Sequence, residues 1–222
     1  VESMSRITMG SDAAEISEKL TERFDLIPQG LSAELIALKW GFSRTQLDEF
    51  AARSHERALA AQAAGYFDRE IVPVEATTPD GQPILVTRDE GPREGSTVEK
   101  LSKLKPAFKS DGVVTAASSS QISDGAAAIV LGSLDKAREL RVTPRARIIA
   151  TAVSGVDPTI MLTGPIPATQ KALAKAGLSI GDIDLFEVNE AFAPVVLAWA
   201  AETGGDLDRT NVNGGACALG HP

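Results

Sequence analysis

The sequence predicts an α/β layered protein, and three observations carry that reading. From about residue 126 the chain runs strand, helix, strand, helix, strand, helix, the order of a sheet covered by helices. The first of these strands, Ala126 to Leu131, is apolar without alternation, which predicts burial on both faces. The 222 residues are 43% hydrophobic and 23% charged, enough for a substantial core in one large domain or two lobes.

Residues 1 to 30 carry Gly10, Pro28 and Gly30 and little periodicity, so they read as loop with a short helix near 12 to 23. Ser32 stands where it can cap a helix that reaches Trp40 and stops at Gly41. "SRTQLDEFAARSHERALAAQAAG" is the clearest helix. Ser43 and Gln46 have capping-box spacing, Gly65 supplies a stop, and Leu47, Phe50, Ala51, Ala58 and Ala61 share one face. "IVPVEATTPDGQPILVT" predicts two short strands around a Pro-Asp-Gly turn. Residues 88 to 112 are charged and irregular. After the strand at 126–131 come a helix in "SLDKARELRV", a strand in "RARIIATAVSG", and a helix in "PATQKALAKAGL" with Gly177 at its end. A strand in "IDLFEV" and a helix in "EAFAPVVLAWAAETGG" complete the order. The first 120 residues lack this alternation and predict an excursion of mixed helices and hairpin, with the sheet resuming near Ser123.

Charge and composition narrow the function. A net charge of -8 and a pI near 4.9 make a nucleic-acid partner unfavourable, because an acidic surface repels phosphate backbones. An anionic small ligand stays possible wherever a local basic patch opposes the global sign. The single cysteine, Cys217, excludes an internal disulfide and fits a reducing compartment. The longest apolar runs are too short for a membrane span. The N-terminus lacks the charged-then-apolar pattern of a signal peptide. Both ends read as cut: the chain opens on "VESMSR" and closes inside a Gly-rich loop, "NVNGGACALGHP".

Few residues bear chemistry. Asn189 and Glu190 lie at the end of the predicted strand "IDLFEV", before a helix, where open α/β sheets bind ligands. Two readings of Asn189 stand together: an N-cap, or a group facing a ligand at a helix N-terminus. There are two histidines. His55, among Arg53, Glu56 and Arg57, reads as a solvated surface residue. His221 follows a Gly-rich turn where backbone can approach a ligand, so it can act as a base toward a thiol or as an oxyanion donor. Cys217, between Ala216 and Ala218, reads as buried and inert rather than nucleophilic. Two distant histidines and one cysteine make a poor metal site. The glycines are not a phosphate loop of the Walker kind, since no Lys-Ser/Thr follows them. The run "ASSSQISDG" is a turn or a source of hydroxyls for a ligand's amides. The basic cluster Lys100, Lys103, Lys105 and Lys109, with Arg93 nearby, is a solvated face or a phosphate-holding one.

These segments resemble the thiolases (acetyl-CoA C-acyltransferases, including 3-ketoacyl-CoA thiolases). "VNEAFA" at 188–193 and "NVNGGACALGHP" at 211–222 are similar to two signature motifs of that family. "VESMSR", "GYFDREIVPV", "KLKPAF", "SSSQISDGAAA" and "GPIPATQKALAKAGL" are thiolase-like in order and spacing, so the resemblance spans essentially the whole chain. It implies a five-layered α-β-α-β-α fold of two similar halves, with a mixed loop domain inserted in the first half over the coenzyme A site. On that plan residues 1–8 and 120–142 end the N-terminal half, 9–119 form the inserted domain, and 143–222 begin a C-terminal half that is incomplete here.

The resemblance also implies roles. His221 matches the histidine that activates the acylated cysteine and helps bind the thioester oxygen, and Asn189 the asparagine that holds a water there. Glu190 supports them from behind. Ser120 matches a contact to the pantetheine, Arg93 a position near the adenine-phosphate end of coenzyme A, and Phe108, Ala116, Met161 and Phe192 apolar walls around pantetheine and acyl group. The two cysteines that thiolases use lie outside these residues, and Cys217 takes neither role. The implied reaction is thiolysis of a 3-oxoacyl-CoA, or the reverse Claisen condensation. Coenzyme A is then a substrate, no metal or redox cofactor is expected, and the assembly is a homodimer or homotetramer in the cytoplasm. "SSQISDGAAA" leans toward the degradative branch of lipid metabolism. Alternatives are a non-catalytic coenzyme A-binding fragment, a lipid-carrier-type thiolase-like protein and a ketoacyl synthase.

Overall fold

The helix over Ala193–Thr203 is apolar on nearly every face, and such a helix must be enclosed by others. The computed structural model describes residues 16–221 together with Ser3 and Arg6, and in it this helix is the centre of the core. Named in chain order, the helices are α1 Glu18–Thr21, α2 Gln29–Trp40, α3 Arg44–Ala63, α4 Val98–Leu101, α5 Leu134–Leu140, α6 Pro165–Ala176, α7 Ala193–Thr203 and α8 Ala216–Leu219. Helices α2, α3 and α6 pack on α7, and α8 lies on α3. Val196 and Trp199 of α7 share one buried cluster with Ala33, Ile36, Leu47 and Phe50, and Trp199 stacks edge-on against Phe186 with ring centroids 5.1 Å apart. Hydrogen bonds pin the layer at its edges: Trp199 Nε1 donates to Thr169 Oγ1 (2.9 Å) and Trp40 Nε1 to Glu202 Oε1 (2.8 Å).

Local signals in the sequence act as expected in several places. The capping box of α3 is formed: Ser43 N donates to Gln46 Oε1 (2.8 Å) and Gln46 N to Ser43 Oγ (3.3 Å). Its predicted face is the buried one, with Leu47, Ala51 and Ala58 fully enclosed. Gly41 and Gly177 end their helices in the left-handed conformation. The hairpin is present as β1 Val74–Thr77 and β2 Pro83–Val86, antiparallel, with Val74 opposite Val86 and Thr77 opposite Pro83.

Four expectations need correction. Helix α2 begins at Gln29, with Pro28 as its N-cap, so Ser32 sits inside the helix with its hydroxyl buried and without a hydrogen bond among the described residues. Proline already fixes φ near the value the first turn needs, and the helix starts there. His55 is not solvated; it is 4% exposed on the inner face of α3. The apolar run 126–131 is extended but unpaired and uncovered among the described residues, with Ile129, Val130 and Leu131 at 85%, 97% and 72% exposure. The stretch 145–155 is likewise unpaired, with Val153 91% exposed. Strand propensity becomes a strand only when a neighbouring strand takes its N–H and C=O groups, and among the described residues no backbone–backbone hydrogen bond joins either run to one; Lys175 Nζ of α6 reaches Thr151 O instead (2.9 Å). The segment "IDLFEV" does find a neighbour: Phe186 pairs in parallel with Thr210, through Phe186 N to Arg209 O and Asn211 N to Phe186 O, both 2.9 Å. The short helix predicted near 12–23 is present as α1; residues 12–15 of it lie outside the described residues.

Candidate active site

The parallel bridge of 186 with 210 brings two loops to its same end, the one after Val188 and the one after Asn211. Asn211 fastens them. Its left-handed backbone (φ 48°) turns the chain, its Oδ1 accepts from Val188 N (2.8 Å), and its Nδ2 donates to Val188 O (2.8 Å). Asparagine tolerates that conformation better than most side chains, which suits the residue to both jobs. The same Nδ2 donates to Glu190 Oε1 at 2.9 Å.

Glu190 is 2% exposed and its carboxylate gathers three donors. Besides Asn211, its Oε2 accepts from Ser54 Oγ of α3 (2.6 Å) and from Cys217 N of α8 (3.0 Å). Ser54 Oγ in turn accepts from Gly215 N at 3.1 Å. One buried carboxylate thus ties α3, the 186–190 segment and the glycine loop together. The glycines make room for it: a Cβ at Gly215 would fall within the Glu190 carboxylate, and one at Gly214 would strike Ala58 of α3 (2.6 Å).

Around this net lies an open cleft of about 320 Å³ whose lining includes Glu187, Asn189, Gly214, Gly220 and His221. The cleft therefore unites Asn189 and His221, which are 32 positions apart, through the pairing of their two loops. Both side chains are exposed there. Helix α7 starts at Ala193 with Phe192 as its N-cap, so Asn189 is not its cap and instead lines the cleft. Burial first and the Glu190 charge second raise the Glu187 carboxyl above its ordinary pKa. A larger depression of about 540 Å³ lies over the hairpin between Glu75 and Leu85, but its lining brings only one titratable side chain.

Cys217 points away from the cleft and into the core, at 1% exposure. Burial, and after it the Glu190 charge, push its thiol well above the ordinary range. Its Sγ lies 3.8 Å from Glu190 O.

The remaining predicted residues form a second group. The segment 118–120 runs antiparallel to 191–193: Ser119 bridges Phe192, Ser120 N donates to Ala191 O (2.9 Å), and Ala193 N donates to Ser118 O (2.8 Å). Phe108 meets Phe192 edge to face at 5.6 Å and lies so close over Gly30 that no Cβ fits there. Ser120 and Phe192 therefore sit on the two sides of one pairing. Ala116 is exposed nearby in sequence, and Met161 is half-buried in a 3-10 turn, Met161–Thr163, that packs on α2 and α7. Neither lines the Asn189–His221 cleft. Arg93 lies outside the cleft lining with an exposed side chain, its Nη2 3.5 Å from Gln121 Oε1. The serine run mostly satisfies itself, with Thr115 N donating to Ser118 Oγ and Ser119 Oγ to Thr115 O. The lysine cluster is solvated, with Lys103 paired to Glu99 and Lys109 to Asp111. Among the described residues no group of three or more His, Cys, Asp or Glu could hold a metal ion.

Sequence reasoning missed Ser54, Asn211, His55 and Gln121. Asn211 opens the quoted motif, so its position was a signal; the other three carry none until the fold brings them to the loops. His55 accepts at Nδ1 from Arg93 N (3.1 Å), and burial first, then the Arg93 charge, lower its pKa below the ordinary value.

A helical layer on a parallel pairing, with an asparagine and a histidine delivered to one cleft by "VNEAFA" and "GGACALGHP", is the arrangement the described residues form. Comparison with known proteins shows the family. The profile "Thiolase, N-terminal domain" matches residues 1–135 and "Thiolase, C-terminal domain" residues 142–222, so the chain belongs to the thiolase family. It is 50% identical over 207 residues to an acetyl-CoA acetyltransferase of Allochromatium vinosum, covering 93% of this chain and 52% of that one. It is 49% identical over 207 residues to one of Pseudomonas aeruginosa, covering 93% of this chain and 53% of that one. Among solved structures it superposes on human mitochondrial 3-ketoacyl-CoA thiolase with a TM-score of 0.85 at 48% identity, over 88% of this chain and 49% of that one. The acetyl-CoA acetyltransferase of Bacillus anthracis gives 0.85 at 45% identity, over 88% and 50%. The thiolase fold, α/β in class, is thereby shown. The chain spans about half the length of the curated relatives it matches.

Proposed function

We propose that the polypeptide containing these residues is a thiolase that cleaves 3-oxoacyl-CoA with coenzyme A, or runs the reverse condensation, through an acyl-cysteine. The observation that carries this is the delivery of Asn189 and His221 to one cleft by two separate loops, on a chain of shown thiolase family. Cys217 is the only cysteine among the 222 residues, and it is buried with its pKa raised, so the acylated cysteine is a residue beyond them.

His221 takes the proton from that thiol, and the thiolate adds to the 3-keto carbon. Charge passes to the carbonyl oxygen, where the His221 imidazole and a water held by the Asn189 amide stabilise it. Collapse breaks the bond between C2 and C3; the electron pair leaves on the acetyl-CoA enolate, which takes a proton from a second acid–base group beyond these residues. That group's conjugate base takes the thiol proton of free coenzyme A, the resulting thiolate adds to the acyl-cysteine, and the enzyme thiolate leaves and recovers its proton from His221. Both halves put charge on the same kind of oxygen, so the same two donors serve both.

Residues 9–119 form the inserted domain over coenzyme A, between 1–8 with 120–142 and the C-terminal half from 143. Arg93 meets the phosphate end of coenzyme A, Ser120 its pantetheine, and Phe108, Ala116, Met161 and Phe192 the apolar walls. The edge-to-face pair of Phe108 and Phe192 beside Ser120 supports that placement. No metal or redox cofactor takes part in these steps. The assembly proposed from the family resemblance is a homodimer or homotetramer. Among the described residues no helix is long and apolar enough to cross a membrane. The single free cysteine supports a reducing compartment, for which we propose the cytoplasm, and "SSQISDGAAA" supports the degradative side of lipid metabolism.

The test is single-turnover reaction of the full-length polypeptide with acetoacetyl-CoA and a longer 3-oxoacyl-CoA, followed by peptide mass mapping. Acyl mass on a cysteine other than Cys217, chased off by coenzyme A, is expected. Acylation of Cys217, or no cleavage of either substrate, would overturn the reading.

A further inference from the structure

Helix α8, Ala216–Leu219, has a single turn, so its carbonyls have almost no helical partners of their own. Gln121 supplies them. Its backbone N donates to Ala216 O (3.2 Å), and its side-chain Nε2 donates to Ala218 O (2.6 Å) and Cys217 O (3.2 Å). The same Nε2 donates to Gly91 O at 2.8 Å. An amide nitrogen has two protons, so the two short bonds, to Ala218 O and Gly91 O, use both and the longer one shares. The other end of the amide, Oε1, lies 3.5 Å from Arg93 Nη2. Gly91 presses so closely on Ala218 O that no Cβ fits between them. The residues on either side of the contact are the ones that matter above: Arg93 two positions after Gly91, and His221 three after Ala218.

The Arg93 loop is fixed at alternate positions. Gln62 Nε2 holds Asp89 O (2.9 Å), Gln121 holds Gly91 O, and His55 takes Arg93 N–H. Of these three, only Gln121 also reaches the His221 loop. We infer that Gln121 is a positioning residue: it caps α8 to aim His221, and it sets the Arg93 loop against that same turn. One side chain thereby spans directly between the phosphate-binding end and the reacting end of the substrate, beside the indirect link through His55 and Ser54 of α3. This rests on the function proposed above for its kinetic consequences, but the physical link does not.

The experiment uses the full-length polypeptide with Gln121→Met, which keeps the volume and removes the amide, and Gln121→Ala as a variant with no steric demand. Hydrogen exchange is read first. Faster exchange confined to residues 89–97 and 216–221 is expected in both variants. Unchanged exchange overturns the inference whatever the activity, and a uniform rise along the chain shows general packing and overturns it too. In kinetics, Gln121→Met should lower kcat for acetoacetyl-CoA thiolysis about tenfold and raise the KM for coenzyme A about fivefold. Arg93→Ala should raise that KM alone. The double variant should show the kcat of Gln121→Met with a KM no higher than that of Arg93→Ala. Multiplying KM effects, or a wild-type kcat in Gln121→Met, would contradict the link. Wild-type protein that cleaves no 3-oxoacyl-CoA removes the proposed function but leaves the exchange result to stand.

Discussion

Replacing Glu190 with glutamine tests the net beneath the cleft. The carboxylate is buried and accepts from Ser54 Oγ, Asn211 Nδ2 and Cys217 N at 2.6, 2.9 and 3.0 Å. A glutamine can keep its oxygen toward Ser54 and Cys217, but its NH2 then faces the Asn211 NH2, donor against donor. Asn211 cannot turn over to accommodate it, because its own oxygen and nitrogen are both engaged by Val188 at 2.8 Å. One hydrogen bond to a charged acceptor is lost, worth about 1.5–3 kcal/mol, and a buried donor is left unmatched at about 1–3 kcal/mol more. Relief by local shifts makes a net loss of about 3 kcal/mol the working figure. At about 2 °C per kcal/mol, suited to a chain longer than this one, Tm should fall by roughly 6 °C. The glycine loop should move with it, and misplacement of His221 by about 1 Å costs about a hundredfold in rate. In Glu190→Gln full-length protein, then, Tm by calorimetry falls and kcat drops about 10- to 100-fold, while KM changes little because no substrate contact is removed. A wild-type Tm would show that the three donors do not depend on the charge. A lowered Tm with a wild-type kcat would show that the net stabilises the fold without aiming the loop.

Three further outcomes follow from the same geometry. Gly215→Ala should be more damaging than Glu190→Gln, since its Cβ must displace the carboxylate, and soluble expression with near-native Tm would refute that packing. His55 has a folded pKa below its unfolded value of about 6.5, so the unfolded chain takes up the proton first. Its contribution is present above about pH 6.5 and lost as pH falls through the folded pKa; the drop in Tm between pH 7.5 and pH 5 should shrink in His55→Gln, and an unchanged drop would exclude it. Cys217 should alkylate at least a hundredfold more slowly in native than in unfolded protein when followed by peptide mapping, and fast native labelling would contradict its burial.

Much of this was legible because the signals are local. A capping box at Ser43, a turn at Asp80-Gly81 and left-handed glycines at 41 and 177 depend on neighbours a few positions away. The cleft was legible through its motifs, since Asn189 and His221 each sit at the end of a patterned segment. What was not legible depends on pairing across the chain. His55 stands among charged residues, yet its face of α3 meets the 91–93 loop, so sequence neighbours misstate its surroundings. Ser54 is one of many serines until Glu190, 136 positions away, comes to it. Residues 126–131 have the composition of a covered strand, but composition does not supply the neighbour.

The central claim is that the histidine delivered to this cleft takes part in thiolysis, and kcat/KM of full-length His221→Ala for acetoacetyl-CoA tests it most directly. Loss of a positioned general base is worth about 100- to 10,000-fold, so a fall of about a thousandfold with Tm within a few degrees of wild type is predicted. A kcat/KM within threefold of wild type would remove His221 from the mechanism, and with it the reading of this cleft as the active site.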